Sequence, residues 1–296
     1  MTLETYIRPA SIAEALEALA QPGVRPQVVA GGTDYVPMAR KMRMNGTLPN
    51  GDGPSVLLDL SKLEDLCGVR EADGALEIGA ATTMGAIVVD PLIKESAPVL
   101  VAAAASVGSP LVRNRATVGG NLVTASPSAD TAPALLATGA AVRVAGAAGS
   151  RELPLSDFFI DYRKTALRSG EILTHVLVPL AGRRGVNSRF EKVGLRNADA
   201  ISVVCAACEV ELDGTTVHAA RIGLGAVAPV PVRALAAESA LRGRELTAEA
   251  AAETARLVHE HISPIDDVRA SGRYRGWVAE AVVARMLTQI ADEARG

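Results

Sequence analysis

The amino-acid sequence predicts an α+β fold in which strands and helices occupy separate blocks late in the chain. Two observations lead to this class. Strand-like and helix-like segments alternate up to about residue 178, whereas from about residue 186 three consecutive strand-like segments precede a helical tail. The length of 296 residues is near the limit for one hydrophobic core. We therefore expect three units, over residues 1–60, 61–179 and 180–296.

The first unit is predicted from a capping motif and from buried strands. Ser11 is followed three residues later by Glu14, which is the capping box that starts many helices. An apolar strand then leads directly into a glycine pair, after which Thr33 or Asp34 is expected to cap a second helix. The expected elements are helix 11–19, strand 27–30, a helix ending at about residue 43, polar loop 45–54 and strand 56–60.

The second unit is expected to combine short strands with an alanine-rich helix, and the third to combine antiparallel strands with helices. In the third unit Asp213-Gly214 separates two strand-like runs, as in a hairpin turn. The elements expected in the second unit are strands 75–80 and 140–144 and a helix over 91–107. Those expected in the third are strands 190–195, 201–212 and 217–225, followed by helices 234–241, 248–261 and 277–294.

Composition and charge exclude several kinds of partner. The formal net charge is −3 and no segment is strongly basic, which argues against nucleic acid. The longest predominantly apolar segment, residues 98–112, is too short to cross a bilayer, which needs roughly 20 apolar residues. Three cysteines provide no disulfide framework, and the first residues lack the features of an export signal. We therefore expect a cytoplasmic protein.

Two glycine pairs are the most informative feature of the chain. Gly31-Gly32 ends one apolar run and is followed by a hydroxyl residue, and Gly119-Gly120 ends another and is followed by Asn121. Glycine adopts a positive φ freely and has no Cβ, so a ligand can approach the backbone N–H groups. Two such turns that face each other would form a nest for a diphosphate. A dinucleotide cofactor is the expected ligand.

Other motifs indicate no metal site in this chain. Cys205 and Cys208 have the spacing of a redox or metal motif, but they lie in an apolar strand and no second pair completes a zinc site. The segment 223–228 resembles a dinucleotide-binding fingerprint, but prolines follow it where a helix is required. His259 and His261 are two residues apart and therefore do not share a helical face.

Four motifs together resemble a known family. They are the segment 29–34, the segment 117–121 with Asp130, the segment 158–165 with 170–173, and the segment 263–275. The chain resembles the flavoprotein (medium) subunits of molybdenum hydroxylases, such as xanthine dehydrogenases and aerobic carbon monoxide dehydrogenase. The resemblance implies a two-subdomain FAD-binding fold of the vanillyl-alcohol-oxidase/PCMH type. A C-terminal domain with a three-stranded antiparallel sheet and a helical bundle would follow it.

The resemblance also implies which residues hold FAD, and it implies no catalytic residue in this chain. Asp34 fits less well than the others because a carboxylate repels a diphosphate, so a helix-capping role is the favoured alternative. For Asp130 the alternative is a helix cap, for Lys192 a solvated surface lysine, and for Val107 a place in the helix core. The implied residues are Val29, Ala30, Gly31, Gly32, Thr33, Asp34, Tyr35, Val36, Val107, Thr117, Val118, Gly119, Gly120, Asn121, Asp130, Leu173 and Lys192.

Through the same resemblance the chain is expected to be an electron-transfer subunit. A small subunit with 2Fe–2S clusters would supply electrons, and FAD would pass them to NAD or another acceptor. A large subunit would carry the molybdenum–pterin centre, and the complex would be a dimer of such heterotrimers. Two alternatives remain open at this point: a self-contained FAD-dependent reductase or oxidase, and a structural subunit without flavin.

Overall fold

A computed structural model describes residues 3–22, 25–45, 55–181 and 186–295. The predicted polar loop 45–54 lies outside the described residues, apart from Asn45. The described chain forms three sheets of three, five and four strands, together with a two-stranded hairpin. The predicted mixture of helices and sheets is therefore confirmed.

The amino-terminal unit is a parallel three-stranded sheet with the order β1-β3-β2. Its elements are β1 (Leu3–Ile7), α1 (Ile12–Ala20), β2 (Arg25–Val29), α2 (Tyr35–Met44) and β3 (Ser55–Asp59). The capping box at α1 is present, because Ser11 Oγ accepts a hydrogen bond from Glu14 N at 3.1 Å. The Glu14 carboxylate accepts its return bond from Ala10 N at 2.7 Å, one residue before the expected donor.

The second unit is an antiparallel sheet of five strands with the order β4-β5-β10-β6-β7. Its strands are β4 (Val69–Ala72), β5 (Ala75–Gly79), β6 (Ala141–Gly146), β7 (Gly149–Pro154) and β10 (Ile172–Pro179), and β8 (Phe159–Asp161) and β9 (Lys164–Thr165) form the hairpin. Its helices are α3 (Met84–Val89), α4 (Pro91–Ser96), α5 (Pro98–Ala105), α6 (Pro110–Arg113), α7 (Val118–Thr124), α8 (Thr131–Ala137) and α9 (Leu155–Phe158). Alternate residues of β5, β6 and β10, among them Ile78, Val142 and Val176, form a core with these helices.

The single helix predicted over 91–107 is wrong in one respect, because it is broken at Ala97. Ala97 has φ −145° and ψ 58°, outside the helical region, and separates α4 from α5. Pro98 is the cause, since proline disfavours helical geometry in the residue before it and lacks the N–H that would continue the helix. Pro98 occupies the first position of α5, where a missing N–H costs nothing.

The carboxy-terminal unit contains the three predicted antiparallel strands and adds a short fourth one. Its strands are β11 (Val186–Gly194), β12 (Ser202–Asp213), β13 (Thr216–Gly225) and β14 (Val232–Arg233), and its helices are α10 (Leu235–Leu241), α11 (Ala248–Arg256) and α12 (Gly272–Arg295). The helix expected over 248–261 ends at Arg256 and continues as a 3₁₀ turn over 257–260. These helices and the sheet share one buried core.

The second and third units are packed directly against each other. An apolar cluster joins α5 and α8 to β12, with Ala103, Ala134 and Ala207 fully buried in it. On β13, a Cβ at Gly223 would lie 2.2 Å from the carbonyl oxygen of Pro133, so here strand and helix backbones are in contact. This contact places the loop 126–130 beside β12 and β13.

Candidate cofactor site

A cleft of about 960 Å³ is bordered by the first two units and by residues 199–201, just before β12. Its walls comprise the turn after β2, the first part of α2, helix α7 with the loop that follows it, and residues of β10. Apolar side chains such as Val107, Leu173 and Ile201 alternate on the walls with polar groups such as Asn121 and Asp130. Cleft volumes of several hundred to 1,000 Å³ are typical of sites for large organic ligands.

The first glycine pair forms an open turn at the carboxyl end of β2. Gly32 has φ +74°, the left-handed region that glycine enters without strain, and its carbonyl accepts from Val36 N at 2.9 Å. The N–H groups of residues 31–34 donate to no partner among the described residues. Four neighbouring N–H groups just before α2 are therefore available to a ligand, and this arrangement favours an anion.

The second glycine pair differs, because its N–H groups are already used inside the protein. Gly119 N donates to Ala80 O at 2.8 Å, and Gly120 N donates at 3.1 Å to Thr117 Oγ1, the cap of α7. Val118 N and Asn121 N also have backbone partners. The sequence predicts free N–H groups in both glycine turns. Among the described residues, the first turn has them and the second does not. The second turn provides a bare backbone at Gly120 and the amide side chain of Asn121.

Two of the glycines are required by packing. A Cβ at Gly31 would lie 2.1 Å from Arg115 O, and a Cβ at Gly119 would lie 2.6 Å from the Cβ of Ala80. Gly31 thus allows the first turn to touch the chain just before α7. The two glycine segments therefore lie next to each other, although 88 positions separate them in the sequence.

Asp130, Lys192 and Ser202 form a buried polar network beside the cleft. Lys192 Nζ lies 2.5 Å from Asp130 Oδ2 and 3.0 Å from Ser106 O, and Ser202 Oγ donates to Asp130 Oδ1. Burial raises the pKa of the Asp130 carboxyl, and the Lys192 ammonium opposes that shift. The Lys192 side chain is only 13% exposed, so the alternative of a solvated surface lysine is wrong. Asp130 stands at the cap position of α8, but its carboxylate makes no capping bond there.

Most of the residues predicted to hold the cofactor meet at this cleft. Those that line it are Val29, Ala30, Gly31, Gly32, Thr33, Asp34, Tyr35, Val107, Thr117, Gly119, Gly120, Asn121, Asp130 and Leu173. Three do not: Val118 is fully buried in the core, Val36 is 61% exposed on α2, and Lys192 contacts the cleft-lining Asp130. The carboxylate of Asp34, for which a capping role was favoured, accepts a hydrogen bond from Thr124 Oγ1 at 3.0 Å.

Sequence reasoning missed several cleft residues. Arg163 lines the cleft from the β8–β9 hairpin with φ +54°, and Glu171 lines it just before β10. Glu171 pairs with Arg151 at 2.8 Å, and this hydrogen-bonded ion pair lowers the pKa of the Glu171 carboxyl to about 2. Arg163 and Glu171 both belong to the family motif over 158–165 and 170–173, so the sequence contained a signal that could have identified them. Asp199, Ala200 and Ile201 carried no such signal.

Comparison with known families identifies the family of the chain. Residues 2–181 match the family described as the FAD binding domain in molybdopterin dehydrogenase, and residues 189–290 match the CO dehydrogenase flavoprotein C-terminal domain. The chain belongs to the FAD-binding subunits of the molybdenum hydroxylases. The resemblance seen in the sequence is thereby confirmed.

Individual relatives and solved structures match over nearly the full length. The nicotinate dehydrogenase FAD-subunit of Eubacterium barkeri is 31% identical over 98% of this chain and 97% of its own. A structure of carbon monoxide dehydrogenase from Hydrogenophaga pseudoflava has a TM-score of 0.87 at 30% identity, covering 95% of this chain and 94% of the other. Quinoline 2-oxidoreductase from Pseudomonas putida 86 has the same TM-score and identity over 98% and 97% of the two chains.

The residues of the cleft fit FAD. The diphosphate of FAD requires hydrogen-bond donors, which the four free N–H groups of residues 31–34 supply. The flavin ring requires apolar walls with a few polar groups, as found around Val107, Leu173 and Asn121. Within the described ranges, no helix is long and apolar enough to span a membrane, and no three His, Cys, Asp or Glu side chains are grouped to hold a metal ion.

Proposed function

We propose that this chain is the electron-transfer subunit of a heteromeric molybdenum hydroxylase. It receives electrons from the 2Fe–2S clusters of a small partner subunit and delivers them through FAD to NAD or another acceptor. A large partner subunit carries the molybdenum–pterin centre, and the complex is a cytoplasmic dimer of heterotrimers. Support comes from relatives named as medium chains or FAD-subunits of dehydrogenases, which match this chain over almost its whole length.

The observation that carries the proposal is the turn of free N–H groups that lines the cleft. Bound FAD supplies the redox chemistry, since flavins accept one or two electrons. The protein positions the cofactor. The N–H groups of residues 31–34 bind the diphosphate, and Gly120 allows close approach from the opposite wall. Asn121 offers an amide nitrogen, because its Oδ1 already accepts from Thr131 Oγ1 at 2.5 Å.

In this proposal the buried network fixes the position of Asp130 at the wall of the cleft. The Lys192 ammonium and the Ser202 hydroxyl hold both carboxylate oxygens, so Asp130 keeps a fixed orientation at the cleft wall. Lys192 lies on β11 and Ser202 on β12, which are strands of the carboxy-terminal unit. That unit therefore helps to shape the cleft, although most of the cleft walls come from the first two units.

The test is to purify the chain through an affinity tag from its native host and to record native mass spectra and a visible spectrum. We expect a flavin spectrum and two co-purifying subunits, one larger and one smaller, in equal amounts. A colourless complex would refute the cofactor role. A flavin-containing homo-oligomer that oxidises its substrate without other subunits would refute the role in electron transfer and would support a self-contained oxidoreductase.

A further inference from the structure

Among the described residues, two contacts join the turn after β2 to α7 and the segment just before it, and they differ in kind. The first is the backbone contact between Gly31 and the segment 115–116, where even a Cβ would approach Arg115 O to 2.1 Å. The second is a single side-chain hydrogen bond, from Thr124 Oγ1 to Asp34 Oδ2 at 3.0 Å. The backbone contact cannot open without repacking, because both partners are main chain. The side-chain bond can open by a rotation about χ1.

The side-chain bond joins two residues that line the cofactor cleft. Asp34 lies just before α2 and Thr124 at the end of α7, 90 positions apart in the sequence. Between the two connections lie Gly32 and Thr33, two of the residues whose N–H groups are free. A diphosphate held by these groups is therefore flanked by the backbone contact on one side and by the hydrogen bond on the other.

Both ends of the bond are held by helix termini. Asp34 immediately precedes α2, and its own carbonyl accepts from Met38 N at 3.2 Å. Thr124 is the last residue of α7, and Ala125 after it has φ +47°, which ends the helix sharply. Because both backbones are ordered by helices, little conformational entropy is lost when the side chains meet.

We propose that the Asp34–Thr124 hydrogen bond is a clasp that retains the dinucleotide and sets its rate of release. This inference rests on the proposed binding of FAD and adds a positioning role for two side chains. It also gives a reason for a carboxylate beside a diphosphate. The electrostatic repulsion from Asp34 is offset by a charge-assisted hydrogen bond that closes the cleft.

The test measures FAD release from the full chain, in the complex in which it is purified. Release is followed by the recovery of flavin fluorescence after dilution. Thr124→Val removes the hydroxyl at almost constant shape and should accelerate release about three- to tenfold, as expected for one exposed charge-assisted hydrogen bond. Thr124→Ser keeps the hydroxyl and should release FAD at close to the wild-type rate.

Asp34 variants separate the clasp from simple repulsion. Asp34→Asn keeps an acceptor oxygen and should stay within about twofold of the wild type. In the double variant Asp34→Ala/Thr124→Val, release should be no faster than in Thr124→Val alone, because both changes remove the same bond. Slower release from Asp34→Ala would show that repulsion dominates and would overturn the clasp.

The two proposals fail in different ways. Equal release rates from flavin-loaded wild type and Thr124→Val would overturn the clasp and leave the cofactor role intact. A wild-type complex that contains no flavin would overturn the cofactor role, and the clasp with it. Circular dichroism and thermal unfolding of each variant check that any faster release does not come from a loss of folded protein.

Discussion

Adding one methyl group at Gly31 should separate the two walls of the cofactor cleft. In Gly31→Ala the new Cβ would lie 2.1 Å from Arg115 O and 2.8 Å from the carbonyl carbon of the same residue. Real Cβ contacts essentially never fall below 3.0 Å, and ordinary ones are 3.4–4 Å, so the two backbones must move apart by roughly 1 Å. Such overpacking costs about 1–3 kcal/mol. For a cooperative unit the size of the FAD-domain match, residues 2–181, the midpoint of thermal unfolding should fall by roughly 2–12 °C.

The loss of FAD binding should exceed the loss of stability. The free N–H groups of residues 31–34 belong to the segment that must move, and a shift of roughly 1 Å lengthens their hydrogen bonds to a fixed diphosphate beyond a useful distance. Each hydrogen bond to a charged group contributes about 1.5–3 kcal/mol, so losing one weakens FAD binding at least about tenfold. Isothermal titration of the flavin-free protein with FAD measures this change.

Gly214→Ala is the matched control. Gly214 lies in the turn between β12 and β13 with φ +60°, and a Cβ there would meet no atom within 4 Å. The substitution costs about 1–2 kcal/mol of backbone strain, a comparable destabilisation at a site outside the cleft. FAD affinity should stay at the wild-type value. Wild-type affinity in Gly31→Ala, or equal losses in both variants, would refute the reasoning.

No His or Cys is among the described residues that line the cleft, so FAD should be bound non-covalently, and acid precipitation should leave the flavin in the supernatant; colour in the pellet would contradict this. Burial raises the pKa of the Cys205 and Cys208 thiols in β12, that of Cys208 to about 12, whereas Cys67 is exposed. A thiol reagent should therefore modify one of the three cysteines in the native protein and all three after unfolding. Arg151 lowers the pKa of Glu171 to about 2 from its usual 4.5, so the stability that this pair contributes should be present above pH 4.5 and be lost as the pH falls towards 2. Glu171→Gln should flatten that part of the curve of unfolding midpoint against pH. An unchanged curve would show that the pair contributes nothing to stability.

Elements set by local signals could be predicted closely. The capping box at Ser11 occurs where the sequence indicates it, and the hairpin turn predicted at Asp213-Gly214 is shifted by one residue to positions 214–215, because Asp213 pairs with Thr216. Both features involve neighbours in the chain. The break at Ala97 was also readable, because Pro98 determines it through a local steric rule. The two-residue β14 was not, since its only pairing is with β13 and its sequence has no strand pattern of its own.

The candidate site divides in the same way. The free N–H groups of the first turn depend on the local conformation of Gly32, so the glycine pair predicts them. The second turn is a similar sequence, but Val118 N and Gly119 N donate to Thr82 O and Ala80 O, a pairing that only the folded chain creates. The N–H groups of Gly120 and Asn121 donate locally to Thr117 at the start of α7. The partners of Asp130 lie 62 and 72 positions away, beyond the range of any local pattern. The roles of all these residues in holding FAD stay predictions.

The glycines of β13 have a consequence for how this protein can be divided. Gly223 touches the backbone of Pro133, and a Cβ at Gly225 would lie 2.6 Å from Cys205 Sγ and 2.9 Å from the ring of Pro133. Alanine at either position would act as a wedge between the unit that matches the FAD domain and the unit that matches the C-terminal domain. The first family match ends at residue 181 and the second begins at residue 189. The two matched units nevertheless share a buried apolar cluster. A fragment that stops at that junction would leave α8 without the sheet that covers it.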